Sequence, residues 1–198
     1  MMRAVLIATL MCGLLGGCNT APRPDPRGAL TRSAIDASPR PVILAEVEGP
    51  GMVATLVPES VSGNVITWRT AERQTLSFRD GILIATRGLG DDLMRAESAE
   101  VLSALPGGVP HYDRSLTHLD GEGRPVARSL RCTMGRAQPQ TITIFDVAFP
   151  TVLRIETCDA DGRSIENRYW RDADGTMRRS VQWTGGQAGS VTTERLSR

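Results

Sequence analysis

From Val42 onward the apolar residues fall in short runs broken by turn-forming residues, the pattern of strand after strand. Val42–Val47 and Met52–Pro58 are divided by Glu48-Gly49-Pro50-Gly51. Asn64–Thr70, Gln74–Arg79 and Ile82–Thr86 follow, with Asp80-Gly81 between the last two. Asp-Gly between apolar runs predicts a hairpin, because both turn positions need positive φ. In the second half, Arg114–Leu119 and Val126–Thr133 flank Asp120-Gly121-Glu122-Gly123, and Gln140–Val147 and Val152–Cys158 flank Ala148-Phe149-Pro150. Asp-Ala-Asp-Gly occurs twice, at 159–162 and 172–175, between Val152–Cys158, Arg163–Trp170 and Thr176–Trp183. One stretch differs. Asp91–Leu105 is rich in helix formers, has Asp91 or Ser98 as N-cap, and stops at Pro106-Gly107-Gly108. The pattern therefore predicts an all-β fold, mainly an antiparallel meander in a curved or barrel-like sheet, with one or two short helices around residues 91–105.

The amino-terminal segment follows different rules. Arg3 precedes an uncharged, largely apolar stretch, Ala4–Gly17, that closes on Leu15-Gly16-Gly17-Cys18. This is a secretory signal with its cleavage site directly before a cysteine. Its 14 residues fall short of the ~20 that a spanning helix needs. Leu-Gly-Gly-Cys matches the lipobox of bacterial lipoproteins, so Cys18 is expected to carry the acyl chains (palmitate among them) that fix a soluble domain to a leaflet. Asn19 follows instead of the aspartate that commonly retains such proteins in the inner membrane, which favours the periplasmic face of the outer membrane. Residues 18–41 carry Pro22, Pro24, Pro26, Pro39 and Pro41 without apolar periodicity and read as a flexible tether. The expected organisation is a signal at 1–17, the tether at 18–41 and one β-rich domain at 42–198.

Charge narrows the partners. Removing residues 1–17 leaves 181 residues and takes away one of 23 basic and none of 22 acidic side chains, so the remainder is formally neutral. Nucleic acid is not the expected partner. Every basic residue is arginine, which excludes Schiff-base lysine and Ser–Lys chemistry. With Cys12 in the signal and Cys18 acylated, Cys132 and Cys158 remain. In an oxidising compartment they are expected to form a disulfide, two separate buried thiols being the alternative. They lack Cys-x-x-Cys spacing, and His111 and His118 stand at no ligand-like spacing to them, so neither metal nor cofactor is expected. The Asp-x-Asp-Gly repeats lack the flanking ligands of a calcium loop and read as hairpin turns.

Catalytic signals are equally thin. Gly88-Leu89-Gly90-Asp91-Asp92-Leu93 has leucine in place of the third glycine and two aspartates where a phosphate would sit. His111 and His118 are seven apart, on opposite faces of an extended strand, and no hydrolase motif surrounds them. The most suggestive set is the carboxy-terminal hairpin. A four-residue turn at Asp172–Gly175 would pair Trp170 with Met177, Asn167 with Ser180 and Ile165 with Gln182, placing Asn167, Tyr169, Ser180 and Gln182 on one face. That face could line a site for a glycan or lipid headgroup. A satisfied hydrogen-bond network inside a barrel, or the wet face of a sheet, is the weightier explanation.

The lipobox, the Trp68 strand, the segment Ala85–Leu93, Asn-x-Tyr-Trp at 167–170 and Ser-x-Gln-Trp at 180–183 together resemble the YjbF/GfcB group of lipoproteins. The resemblance spans most of residues 42–197. It implies a curved antiparallel fold close to a barrel and a non-enzymatic accessory role in capsular or extracellular polysaccharide export or assembly, through glycan or export-apparatus contact. It transfers only Cys18 as a functional position. The rival reading is a periplasmic lipid or lipoprotein carrier that shelters an acyl chain in the curved sheet.

Overall fold

The structure, a computed structural model, describes residues 25–160 and 162–197. Among them are thirteen strands and three short helices. Helices α1 (Pro26–Ala29) and α2 (Arg32–Asp36) precede β1 (Ile43–Val47), β2 (Met52–Ser62), β3 (Val65–Arg69), β4 (Thr75–Arg79), β5 (Ile82–Arg87) and β6 (Leu93–Ala96). Helix α3 (Ala99–Ala104) leads into β7 (His111–Leu119), β8 (Pro125–Met134), β9 (Gln138–Ile144), β10 (Val147–Ala160), β11 (Arg163–Arg171), β12 (Met177–Gly185) and β13 (Gly189–Arg195). Twelve strands form one path, β5-β4-β3-β2-β1-β13-β12-β11-β10-β8-β7-β6, and β9 extends β8 along the same edge of β10. Each pairing is antiparallel. The end strands β5 and β6 are consecutive in the chain, so the sheet curls into a nearly closed barrel. Its seam is stitched by side chains. Thr86 donates to Asp92 at 3.0 Å and accepts from the Leu93 amide at 2.9 Å.

Alternation along the strands sorts the two faces. Inward residues Leu56, Leu76, Leu116, Leu130, Ile165 and Val191 build the main core. Outward residues are buried too where the β9–β10 hairpin folds over the barrel wall. Leu44 and Trp170 pack there with Ile142, Ile144 and Phe149. Helix α3 contributes Val101 and Ala104, and its C-cap Leu105, to a third cluster around Tyr169 and Ile82. No helix among the described residues is long and apolar enough to cross a membrane.

Four local expectations differ from what is found. Residues 25–37, inside the expected tether, carry α1 and α2, with Asp25 and Thr31 capping their first amides. Ile35 is buried against the outer cluster, and Arg27 bridges Glu46 and Glu194, so this part of the segment is docked on the barrel. Residues 93–96 are strand, because pairing with β7 overrides their helix-forming composition, and the helix is confined to 99–104. The β9–β10 turn falls at Phe145-Asp146, both at positive φ, leaving Ala148-Phe149-Pro150 inside β10. Finally, β11 and β12 pair two residues out of the expected register, Tyr169 opposite Ser180 and Trp170 opposite Arg179, with a bulge at Trp170/Arg171. A shift of two preserves the face of every side chain.

Candidate functional site

Asn167, Tyr169, Ser180 and Gln182 do share one face, and it points into the barrel. All four are buried. Asn167 and Tyr169 converge on Glu156 of β10, which is fully buried. Its carboxylate accepts from Tyr169 Oη at 2.6 Å, Asn167 Nδ2 at 2.7 Å, Tyr112 Oη at 2.8 Å and Arg114 Nη1 at 3.1 Å. Burial, then the Glu156 charge, hold both phenols well above their usual pKa, so they remain donors. Burial opposes the Arg114 charge, but the neighbouring Tyr169 and Glu156 outweigh it and its pKa rises. Ser180 and Gln182 form a second chain. Gln182 accepts from the Leu83 amide and donates to the Gly81 carbonyl, both at 2.9 Å, and also donates to Ser180, which bonds Thr193 at 2.8 Å. Gln182 thus ties the start of β5 to β12 across the interior. A buried polar group is tolerated at low cost only when satisfied, and these are satisfied by the protein itself.

The remaining candidates resolve similarly. Cys132 and Cys158 are directly opposed on β8 and β10, with Cα atoms 4.0 Å apart, and form a disulfide. Both sulfurs lie near Glu156, but oxidised sulfur offers no thiolate for a metal. His111 is exposed and bonds Thr133 Oγ1 at 3.0 Å, whereas His118 is buried, bonded to the Thr184 carbonyl and edge-on to Trp183. In the Gly88–Leu93 segment the Asp92 carboxylate takes the Gly88 and Leu89 amides at 2.7 and 3.1 Å. A phosphate would need those same donors. Asp172 likewise caps its turn, accepting from the Asp174 and Thr176 amides, and pairs with Arg178 at 2.6 Å, so it serves the hairpin instead of calcium. Cys18 lies outside the described residues.

Two open concavities lie at the barrel ends. One cleft of about 500 Å³ forms where the β2–β3 and β4–β5 hairpins lean over the β11–β12 turn. Ile66, Trp68 and Phe78 give it an apolar floor, Asn64 and Asp80 share a 2.7 Å hydrogen bond at its rim, and Arg171 and Arg195 enter from β11 and β13. Thr193 and Gly81 link its wall to the Gln182 chain. A second cleft of about 570 Å³ lies beside Trp183, with Glu48, Arg128, Arg163 and Glu166. There Glu48 is bonded to the Ser190 amide and Glu166 to Arg168. Sequence reasoning missed both clefts. Their residues come from hairpins far apart in the chain, and no local spacing announces such a juxtaposition.

A nearly closed antiparallel barrel with an apolar core, a buried polar network around Glu156 and a mixed cleft at its end defines an all-β module. The chain belongs to the family described as group 4 capsule polysaccharide lipoprotein (GfcB, YjbF), which matches residues 7–196, a span that includes Cys18. That is a family of capsule-associated lipoproteins, not a known enzyme family, and membership puts the chain in the cell envelope. The lipoprotein YmcC of Escherichia coli K12 has a similar fold, with a TM-score of 0.76 at 18% identity over 85% of this chain and 89% of that one. An exported protein of Bacteroides fragilis with a YmcC-like fold aligns at 12% identity over 80% of this chain and 93% of that one, with a TM-score of 0.31. No curated protein matches the chain in sequence.

Proposed function

We propose that the protein is anchored through an acylated Cys18 to the periplasmic face of the outer membrane and assists export or assembly of a capsular or extracellular polysaccharide by contacting the glycan. The observation that carries this reading is the end cleft. It combines an apolar, aromatic floor with amide, carboxylate and guanidinium groups, the composition that suits a sugar ring with one apolar face and hydroxyls around its edge. The carrier reading calls for an apolar hollow. Here the inward positions are filled, by Tyr169, Leu130 and the disulfide among others, and the cleft is walled with charge. The seven residue steps between Cys18 and Asp25 can span at most ~25 Å, which keeps the docked α1–α2 side close to the bilayer.

The test is in the producing cell. Replacing the chromosomal copy with a Cys18→Ser version should lower polysaccharide at the cell surface while its synthesis inside continues, and the protein should leave the membrane fraction. Unchanged surface polysaccharide with a fully released protein would refute the proposal.

A further inference from the structure

Resting on that reading of the cleft, we infer that its ligand is an acidic glycan whose anionic group docks on Arg195 and Arg171. Among the described residues Arg195 has no hydrogen-bond or ion-pair partner, although it is only partly exposed. Its neighbours on the sheet are committed elsewhere. Arg178 is paired with Asp172, and Arg179 and Arg27 share Glu194. Arg195 alternates inward with Thr193 and so faces the cleft instead of joining the outward Arg27–Glu194–Arg179 group. Arg171 uses its Nε on the Gly175 carbonyl at 3.0 Å. Its Nη2 lies beside the Gly175 backbone, at the turn that forms the cleft wall.

The acids of the cleft do not cancel these cations. Asp80 and Asp174 are exposed at the rim, where water screens them, and Asp80 is already bonded to Asn64. The two arginines are half-buried, where a charge is screened less and a missing counterion costs more. Burial, then the nearby Arg178, pull the Arg195 pKa below its usual range, and Asp172, itself paired with Arg178, offsets them only in part. A guanidinium offers a planar fork of donors, which carboxylate and phosphate fill in two-point fashion and a neutral hydroxyl does not. An acidic sugar can then lay its ring over the Ile66–Trp68–Phe78 floor with its anion on the arginine side.

The experiment uses the full acylated protein in detergent micelles and isothermal titration with the producing strain's own surface polysaccharide. That polysaccharide is tested native, after carboxyl reduction, and after removal of phosphate with hydrofluoric acid. Native material should bind, and one of the two treatments should weaken binding on the order of tenfold, naming the anion. Arg195→Gln should lose a similar factor toward native polysaccharide and nothing toward the treated form. Arg171→Gln, at the end of β11, repeats the comparison should the first variant fail to fold. Equal binding of all three preparations would overturn the acidic preference and leave the glycan reading standing. Binding of none would remove both.

Discussion

Tyr169 donates its phenolic hydrogen to Glu156 at 2.6 Å inside the barrel, joining β11 to the strand beside it where no water reaches. Glu156 is the common acceptor for two tyrosines, an asparagine and an arginine, so its removal strands a buried guanidinium as well as three donors. Glu156→Gln should therefore cost about 3–5 kcal/mol and Tyr169→Phe about 1.5–3 kcal/mol, read as shifts in urea midpoint at constant slope. A Glu156→Gln cost below about 1 kcal/mol would show that the network is not structural.

The disulfide closes 26 residues of sequence between two strands already in register. In the loop-entropy view it stabilises by roughly 3 kcal/mol. Reductant, or the paired Cys132→Ala and Cys158→Ala substitutions, should lower the unfolding midpoint by a matching amount without altering the far-ultraviolet spectrum. Equal stability with and without reductant would contradict this.

His118 supplies a pH dependence of known sign. Burial lowers its pKa in the folded state relative to the ordinary value near 6.5, despite the Thr184 hydrogen bond that pulls the other way. The folded protein then binds fewer protons than the unfolded chain below that value, so stability is full above about pH 6.5 and declines as the pH falls through it. Thermal midpoints at pH 7.5 and 5 should differ by less in His118→Gln than in the unchanged protein. An identical difference would assign the acid sensitivity to other groups.

Gly81 sits at φ +85°, beside Asp80 at +48°, and a Cβ there would lie 2.5 Å from Met177 Cβ. Its carbonyl also receives Gln182. Gly81→Ala should thus destabilise by at least ~1–3 kcal/mol through strain and displaced packing together. Gly63→Ala, also at positive φ but in open space, isolates the conformational part and should cost less. Equal costs would mean that Met177 yields.

What the sequence disclosed and what it hid divide along physical lines. Asp80-Gly81 was legible because a two-residue hairpin leaves few residue types able to occupy it, and Arg79 does pair with Ile82. The shared face of Asn167, Tyr169, Ser180 and Gln182 was legible although the register was not, because parity survives a shift of two. Strand β13 was hidden by its polarity, since Thr193 is satisfied by Ser180 and Glu194 by arginines, and neither looks apolar. Glu156 escaped notice, yet a signal existed. It stands two residues from Cys158, a cysteine expected inside, and therefore on the same face. The cleft around Trp68 and Arg195 had no such signal, being assembled from both halves of the chain.

The proposed glycan contact lies at the end cleft lined by Trp68 and Arg195. Amide NMR of the isotopically labelled, acylated protein in micelles, titrated with fragments of the producing strain's polysaccharide, locates that contact directly. The expected shifts cluster at Gly63–Asn64, Asp80–Gly81 and Asp174–Met177, leaving Arg163–Glu166 unmoved. Shifts confined to Arg163–Glu166 and Gly186–Ser190, or none at saturating glycan, would contradict it.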